Sequence, residues 1–144
     1  MEIAYGMATV EDISQIFELS KSLVDAYEDL STIDYPKVLR WMERKIQENI
    51  SSYTVITLAG EKIGYYCLRE ESGKWELDDF YILPQYRSMG IGSKVLEHIC
   101  KETKGSIFLY VFTQNTGAIN LYQRFGFRWA QTITPTRQIM ERPG

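Results

Sequence analysis

Cysteine and histidine are scarce in this sequence, with two of the former and one of the latter in 144 residues. Cys67 and Cys100 stand far apart and read as reduced, partly buried thiols. With His98 as the single imidazole and no close Cys/His spacing, neither a structural zinc site nor a Cys–His–Asp protease fits, and no metal is expected. Long apolar runs are missing as well. The longest, Ile107 to Phe112, is far short of the roughly 20 residues of a membrane helix. The opening Met1 to Met7, which carries Glu2, shows no signal-peptide pattern. A cytoplasmic protein without a membrane partner is the expectation. Nor is there a basic excess: 16 Lys+Arg against 19 Asp+Glu give a net charge of −3, whereas a nucleic-acid binder needs a basic surface to neutralise phosphates. Repeats, low-complexity tracts and linkers are absent, so residues 1–144 are expected to form a single domain. Hydrophobic residues make up 44% of the chain, enough to bury a core.

The periodicity supplies an order of elements. Glu2 to Met7 reads as a short strand. Thr9-Val10-Glu11-Asp12 is a capping box, and Ile13, Ile16, Phe17, Ser20, Leu23, Val24 and Tyr27 behind it recur at helical spacing. Pro36 suits the first turn of a second helix defined by Val38, Leu39, Met42 and Ile46. Tyr53–Leu58 and Ile63–Arg69 form a hairpin around Ala59-Gly60-Glu61-Lys62, and Trp75–Leu83 is a third strand ending at Pro84. A helix on Val95, Leu96, Ile99 and Cys100 follows, with Gly105 expected just past its end. Next come a buried strand Ile107–Phe112, a short helix Thr116–Phe125 stopped by Gly126, and final strands Phe127–Ile133 and Thr136–Met140. The order β α α β β β α β α β β describes an α/β fold with a mixed, mostly antiparallel sheet. Its middle strand–helix–strand unit should be parallel and right-handed.

Two places carry chemistry. In the third strand the alternation of apolar and polar residues breaks at Asp78-Asp79, as at a β-bulge or as in a half-buried strand entering a more buried zone. After that strand, Arg87-x-x-Gly90-x-Gly92 opens a helix. Glycines there permit a sharp turn and close approach, and the unpaired N–H groups of a helix start favour an anion such as pyrophosphate. By itself the pattern also fits a tight turn with no ligand. The third glycine of a dinucleotide fingerprint and the Gly-Lys-Ser/Thr of a P-loop are both missing.

Leu83-Pro84-Gln85-Tyr86-Arg87-Ser88-Met89-Gly90-Ile91-Gly92-Ser93, followed by Asn115-Thr116-Gly117-Ala118-Ile119-Asn120-Leu121-Tyr122-Gln123-Arg124-Phe125-Gly126-Phe127, closely resembles the two motifs of the GNAT superfamily of acetyl-CoA-dependent N-acetyltransferases. The element order matches over nearly the whole chain. The resemblance implies a GNAT-like sheet with a splayed central strand pair, Trp75–Leu83 and Ile107–Phe112, and acetyl-CoA as acetyl donor. It implies that the pantetheine arm pairs with the backbone of Phe80, Tyr81 and Ile82. The pyrophosphate would sit on the amides of Ser88, Met89, Gly90, Ile91, Gly92 and Ser93, with Arg87 opening the motif. Asn115 would hydrogen-bond the pantetheine arm, and Tyr122 would protonate the leaving thiolate as general acid, its ordinary pKa of about 10 being close to that of a thiolate. From spacing alone Tyr122 reads as a core aromatic on a short helix.

The resemblance also implies a carboxylate base on the third strand. Glu76 is favoured, with Asp78 and Asp79 behind it, although a solvated strand face would show the same residues. The acceptor is expected to be a small-molecule or peptide amine. The acidic run Asp25, Glu28, Asp29 and Asp34 suggests a cationic one. Helical phase sets Asp25 and Asp29 opposite the apolar stripe and leaves Glu28 and Asp34 able to face the acceptor. The alternative is a catalytically silent acyl-CoA-binding or regulatory domain with this fold. The sequence does not distinguish a monomer from a homodimer.

Overall fold

The computed structural model describes residues 2–144. Seven strands lie in the order β1-β2-β3-β4-β5-β7-β6, with four helices. These are β1 (Ile3–Met7), α1 (Ile13–Tyr27), α2 (Tyr35–Glu48), β2 (Tyr53–Leu58), β3 (Glu61–Glu71), β4 (Lys74–Ile82), α3 (Ile91–Glu102), β5 (Ile107–Phe112), α4 (Thr116–Arg124), β6 (Arg128–Thr134) and β7 (Arg137–Arg142). The expected order of elements is the observed one. Among the described residues no helix is long and apolar enough to cross a membrane.

The chain divides into two compact units, the first comprising Met1–Cys67 with Asp79–Tyr81. Here β1 pairs antiparallel with β2, and β2 with β3. Ile16 of α1 and Ile46 of α2 pack into a core with Tyr53, Val55, Tyr65 and Cys67, all at most 5% exposed. The capping box is present: Thr9 accepts from the Glu11 amide, and the Asp12 side chain accepts from the Thr9 amide at 2.9 Å. It opens a 3-10 turn, Val10–Asp12, that runs into α1. Asp34 is the N-cap of α2, accepting from the Lys37 amide, and Pro36 occupies the first turn.

The second unit comprises Leu68–Asp78 and Ile82–Gly144. β4 and β5 are parallel, as the crossover through α3 requires, and β5 pairs antiparallel with β7 at all six of its residues. The β4–β5 ladder holds only Trp75↔Ile107 and Glu76↔Phe108. Leu77 and Asp78 already lie outside it, which is how a splayed pair begins. Val95, Leu96 and Ile99 of α3 and Ile107 and Leu109 of β5 are buried.

Two local expectations need correction. Gly105 does not end α3. The helix stops at Glu102, and Thr103 caps it in an extended conformation. Gly105, at φ +107°, instead makes the turn into β5. Along β4 the buried positions also do not lose phase: Leu77, Asp79 and Tyr81 alternate as buried residues. An aspartate occupies an inward position, which made the sequence pattern look broken. The backbone is nonetheless distorted there, with Asp79 at φ +47°.

Gly126 does end α4. Its amide donates to the Gln123 carbonyl at 3.2 Å, and the Phe127 amide donates to the Tyr122 carbonyl at 3.1 Å. This is the paired closure of a Schellman motif, with Gly126 left-handed at φ +92°. A Cβ at Gly126 would meet only Arg142 side-chain atoms, at 3.7 Å. The cost of Gly126→Ala is therefore conformational, about 1–2 kcal/mol. We expect the thermal midpoint to fall by about 3–8 °C. Gly117→Ala, inside α4 with nothing within 4 Å of its Cβ, should hold or raise it. Equal melting of the Gly126→Ala variant and the unsubstituted protein would contradict this account of the α4 terminus.

Candidate active site

The segment after β4 is built to present backbone N–H groups. A 3-10 turn, Pro84–Tyr86, leads to an extended Arg87, and then Ser88 and Gly90 both take left-handed conformations, at φ +65° and +76°. Gly90 is the N-cap of α3 and has no side chain to cap it. The first intrahelical bond runs from the Lys94 amide to the Gly90 carbonyl at 3.2 Å. The amides of Ile91, Gly92 and Ser93 therefore have no intrahelical acceptor, and they stand at the positive end of a 12-residue helix. Arg87 through Gly90 are exposed, Met89 included. The Arg87 side chain turns back, its Nε donating to the Ile82 carbonyl at 2.9 Å, which ties the loop to the end of β4. Arg124 of α4 donates to the Ser93 hydroxyl at 3.3 Å and sets a second guanidinium beside the helix start. A Cβ at Gly92 would touch only Leu121 Cδ2, at 3.5 Å, so the fold itself does not require glycine there.

The three β4 carboxylates occupy different surroundings. Glu76 and Asp78 share one partner: Arg69 of β3 lies 3.2 Å from Glu76 Oε1 and 2.9 Å from Asp78 Oδ2. Their side chains are 14% and 21% exposed, so both keep some access to water. Asp79 is 7% exposed and engaged on both oxygens. Oδ1 accepts from Ser20 at 3.4 Å and Tyr81 at 2.8 Å, and Oδ2 accepts from Tyr53 at 2.5 Å with Lys45 Nζ 3.4 Å away. Of the three, Asp79 is the one least suited to take up a proton.

Tyr122 is 8% exposed, and its ring centroid lies 5.5 Å from that of Phe127, the same residue whose amide closes the helix behind it. Among the described residues none hydrogen-bonds to the Tyr122 hydroxyl. Burial, and then the negative charge of Asp78, push that hydroxyl well above the usual tyrosine range. The direction of the shift keeps the hydroxyl in its neutral, proton-bearing form. Asn115 is the N-cap of α4, and its Oδ1 accepts from the Ala118 amide at 3.3 Å, which leaves Nδ2 to donate elsewhere.

The acidic residues near the α1–α2 connection have local partners. Asp25 pairs with Lys21 at 3.0 Å and accepts from Tyr35 at 2.5 Å. Asp29 accepts from Ser31, Glu28 accepts from the Asp29 amide, and Asp34 caps α2. Neither Glu28 nor Asp34 is held out as a lone charge.

A family model described as the acetyltransferase (GNAT) family matches residues 13–127. The chain belongs to this family. It is 26% identical over 143 residues to an N-alpha-acetyltransferase of Sulfurisphaera tokodaii, covering 88% of this chain and 80% of that protein. A second relative, the spermine/spermidine N(1)-acetyltransferase of Bacillus subtilis (strain 168), is 39% identical over 64 residues, 41% of this chain and 42% of the Bacillus protein. The chain thus spans about two fifths of the length of that enzyme. Among solved structures, the fold is like that of the PaiA N-acetyltransferase from Thermoplasma acidophilum in complex with coenzyme A. The TM-score is 0.76 at 21% identity, with 100% of both chains covered.

For a GNAT chain, two residues here escaped the sequence reading. Arg69 sits at the end of a strand with no motif around it, and its role depends on the strand pairing that sets it beside Glu76 and Asp78. Arg124 lies inside the second motif, but only the fold brings it to Ser93.

Tyr122 is not the only tyrosine lifted. Burial, then the charge of Asp12, raises the Tyr65 hydroxyl strongly. Folded values above the unfolded one mean that the native state favours the neutral phenol. That stability is fully present below about pH 10, and it is lost as pH rises through the native values. Ultraviolet titration should show a subset of the ten tyrosines ionising only as the protein unfolds, with Tyr122→Phe removing one of them. If all ten ionise together near pH 10 while circular dichroism stays native, the burial argument fails.

Proposed function

We propose that this acyltransferase moves an acetyl group from acetyl-CoA to a primary amine by direct attack. The carrying observation is the loop Arg87–Ser93, where two left-handed residues and a side-chain-free N-cap leave the first amides of α3 without intrahelical acceptors. A pyrophosphate is the guest that such a nest and helix dipole favour. Arg87 and Arg124 add positive charge on either side. The pantetheine arm takes the β4 backbone at Phe80, Tyr81 and Ile82, with Asn115 Nδ2 as a further donor. The short β4–β5 ladder supports this reading, because strand edge without a partner is what an amide-bearing arm pairs with.

In the reaction, the neutral amine nitrogen bonds to the thioester carbonyl carbon. A β4 backbone N–H, that of Phe80, polarises the carbonyl oxygen. The C–S bond then breaks, and the hydroxyl of Tyr122 donates to the leaving sulfur. With its raised pKa, Tyr122 serves first as a hydrogen-bond donor that steadies the thiolate and gives up its proton only as that charge develops. Before the attack the ammonium passes one proton to Glu76, with Asp78 beside it, through water, and the second N–H proton, shed as the amide forms, restores the Tyr122 hydroxyl. The shared Arg69 keeps both carboxylates in place. For the acceptor we favour a cationic amine, a polyamine or a peptide amine. The support is the named activities of the Bacillus and Sulfurisphaera relatives together with the acidic balance of the chain.

Thiol release from acetyl-CoA across polyamines, peptide N-termini, lysine peptides and amino acids tests this reading. Turnover with none of them would leave an acyl-CoA-binding domain as the better account. Two substitutions separate the parts. Gly92→Asp places a carboxylate in the first turn of α3, where it suits the helix dipole and meets no backbone, so the variant should fold. Acetyl-CoA affinity should drop by about 100-fold or more, since like charges brought together cost several kcal/mol. Calorimetry giving near-normal affinity in the folded variant would refute the pyrophosphate site. Tyr122→Phe should lower kcat by about 100-fold with little change in acetyl-CoA KM. Turnover within about twofold would reduce Tyr122 to a packing residue.

A further inference from the structure

We propose that Asp79 is a positioning residue whose pinned carboxylate holds the left-handed step in β4 that presents the Phe80 N–H to the acetyl carbonyl. The inference rests on the acetyl-transfer reading above. Its own basis lies within the first unit.

A residue other than glycine at φ +47° within a strand is strained, and such residues persist where their surroundings over-determine them. If conformation alone were required, glycine would meet the need with no buried charge. This chain instead buries a carboxylate to 7% exposure and surrounds it from four directions. Ser20 comes from α1, Lys45 from α2, Tyr53 from β2 and Tyr81 from β4 itself. Lys45 is held in turn, its ammonium 5.3 Å from the centroid of the Trp41 ring. Three hydroxyls and one ammonium answer the roughly four acceptor sites of the carboxylate, so the buried charge is satisfied and held in one orientation. What it fixes is the backbone on either side of Asp79. The next amide is that of Phe80, at which the carbonyl oxygen is polarised in the proposed reaction. An error of about 1 Å in such a donor costs roughly 100-fold in rate.

The test uses Asp79→Gly, Asp79→Asn and Tyr53→Phe in the full chain, with kcat, acetyl-CoA affinity by calorimetry and thermal midpoint read for each. Asp79→Gly permits φ +47° without the anchor, so kcat should fall about 10- to 100-fold while acetyl-CoA Kd stays within about twofold. Asp79→Asn tolerates the same backbone and keeps Oδ1, so it should recover part of the rate. Tyr53→Phe removes one hydroxyl at constant shape, so it should fold and lose kcat by a smaller factor. A folded Asp79→Gly variant with unchanged kcat would overturn the proposal. So would a Tyr53→Phe variant in which kcat, acetyl-CoA affinity and melting fall together, since that describes general support of the fold. A parent protein that binds acetyl-CoA yet acetylates no amine would refute the enzymatic reading itself. Full parental activity beside an equally fast Asp79→Gly variant refutes only the inference.

Discussion

A charged side chain buried inside a β-strand is tolerated only where its neighbours answer it atom for atom, and in this protein that constraint falls on Asp79. Its two oxygens draw donors from α1, α2, β2 and β4, so each of those elements is held to a position in the first unit that the carboxylate defines. The core formed by Ile16, Ile46, Tyr53 and Val55 supplies the apolar contact. Hydrophobic contact is non-directional, however, and would accept small slides of either helix. Hydrogen bonds to a fixed acceptor do not. The directional part of the packing is therefore concentrated where β4 leaves its regular path.

The second unit leaves backbone donors without intrahelical acceptors where α3 begins. Two left-handed residues and an N-cap lacking a side chain open α3, and Arg87 and Arg124 approach from the loop and from α4. The turn that ends α4 is closed by Gly126 and Phe127, and the same Phe127 ring packs on Tyr122. Local backbone closure and the placement of the Tyr122 ring are thus one structure. Burial and the nearby Asp78 charge push the Tyr122 hydroxyl well above the usual tyrosine range.

Much of this was legible in the sequence because it is local. The Thr9–Asp12 capping box, Pro36 in the first turn of α2, the stop at Gly126 and the glycine-bearing start of α3 each lie within a few residues of the feature that they specify. The two spaced motifs carried the family. What escaped reading was nonlocal. Nothing near Asp79 in the chain announces that Ser20, Lys45 and Tyr53 will converge on it, so an inward aspartate looked like a break in alternation. Arg69 and Arg124 were silent for the same reason. Gly105 misled in the opposite sense: a glycine shortly after a helix suited a C-terminal cap, whereas Thr103 ends α3 in extended backbone and the glycine serves the next turn.

The central proposal is that backbone groups hold acetyl-CoA, its pyrophosphate on the amides that open α3 and its pantetheine arm on β4. Amide hydrogen exchange with and without acetyl-CoA tests it most directly, because it reads the backbone groups themselves. The account predicts slower exchange at residues 80–82 and 88–93 on binding, with the β1–β2 pair unchanged. Protection confined to other segments, or none at saturating acetyl-CoA, would contradict it.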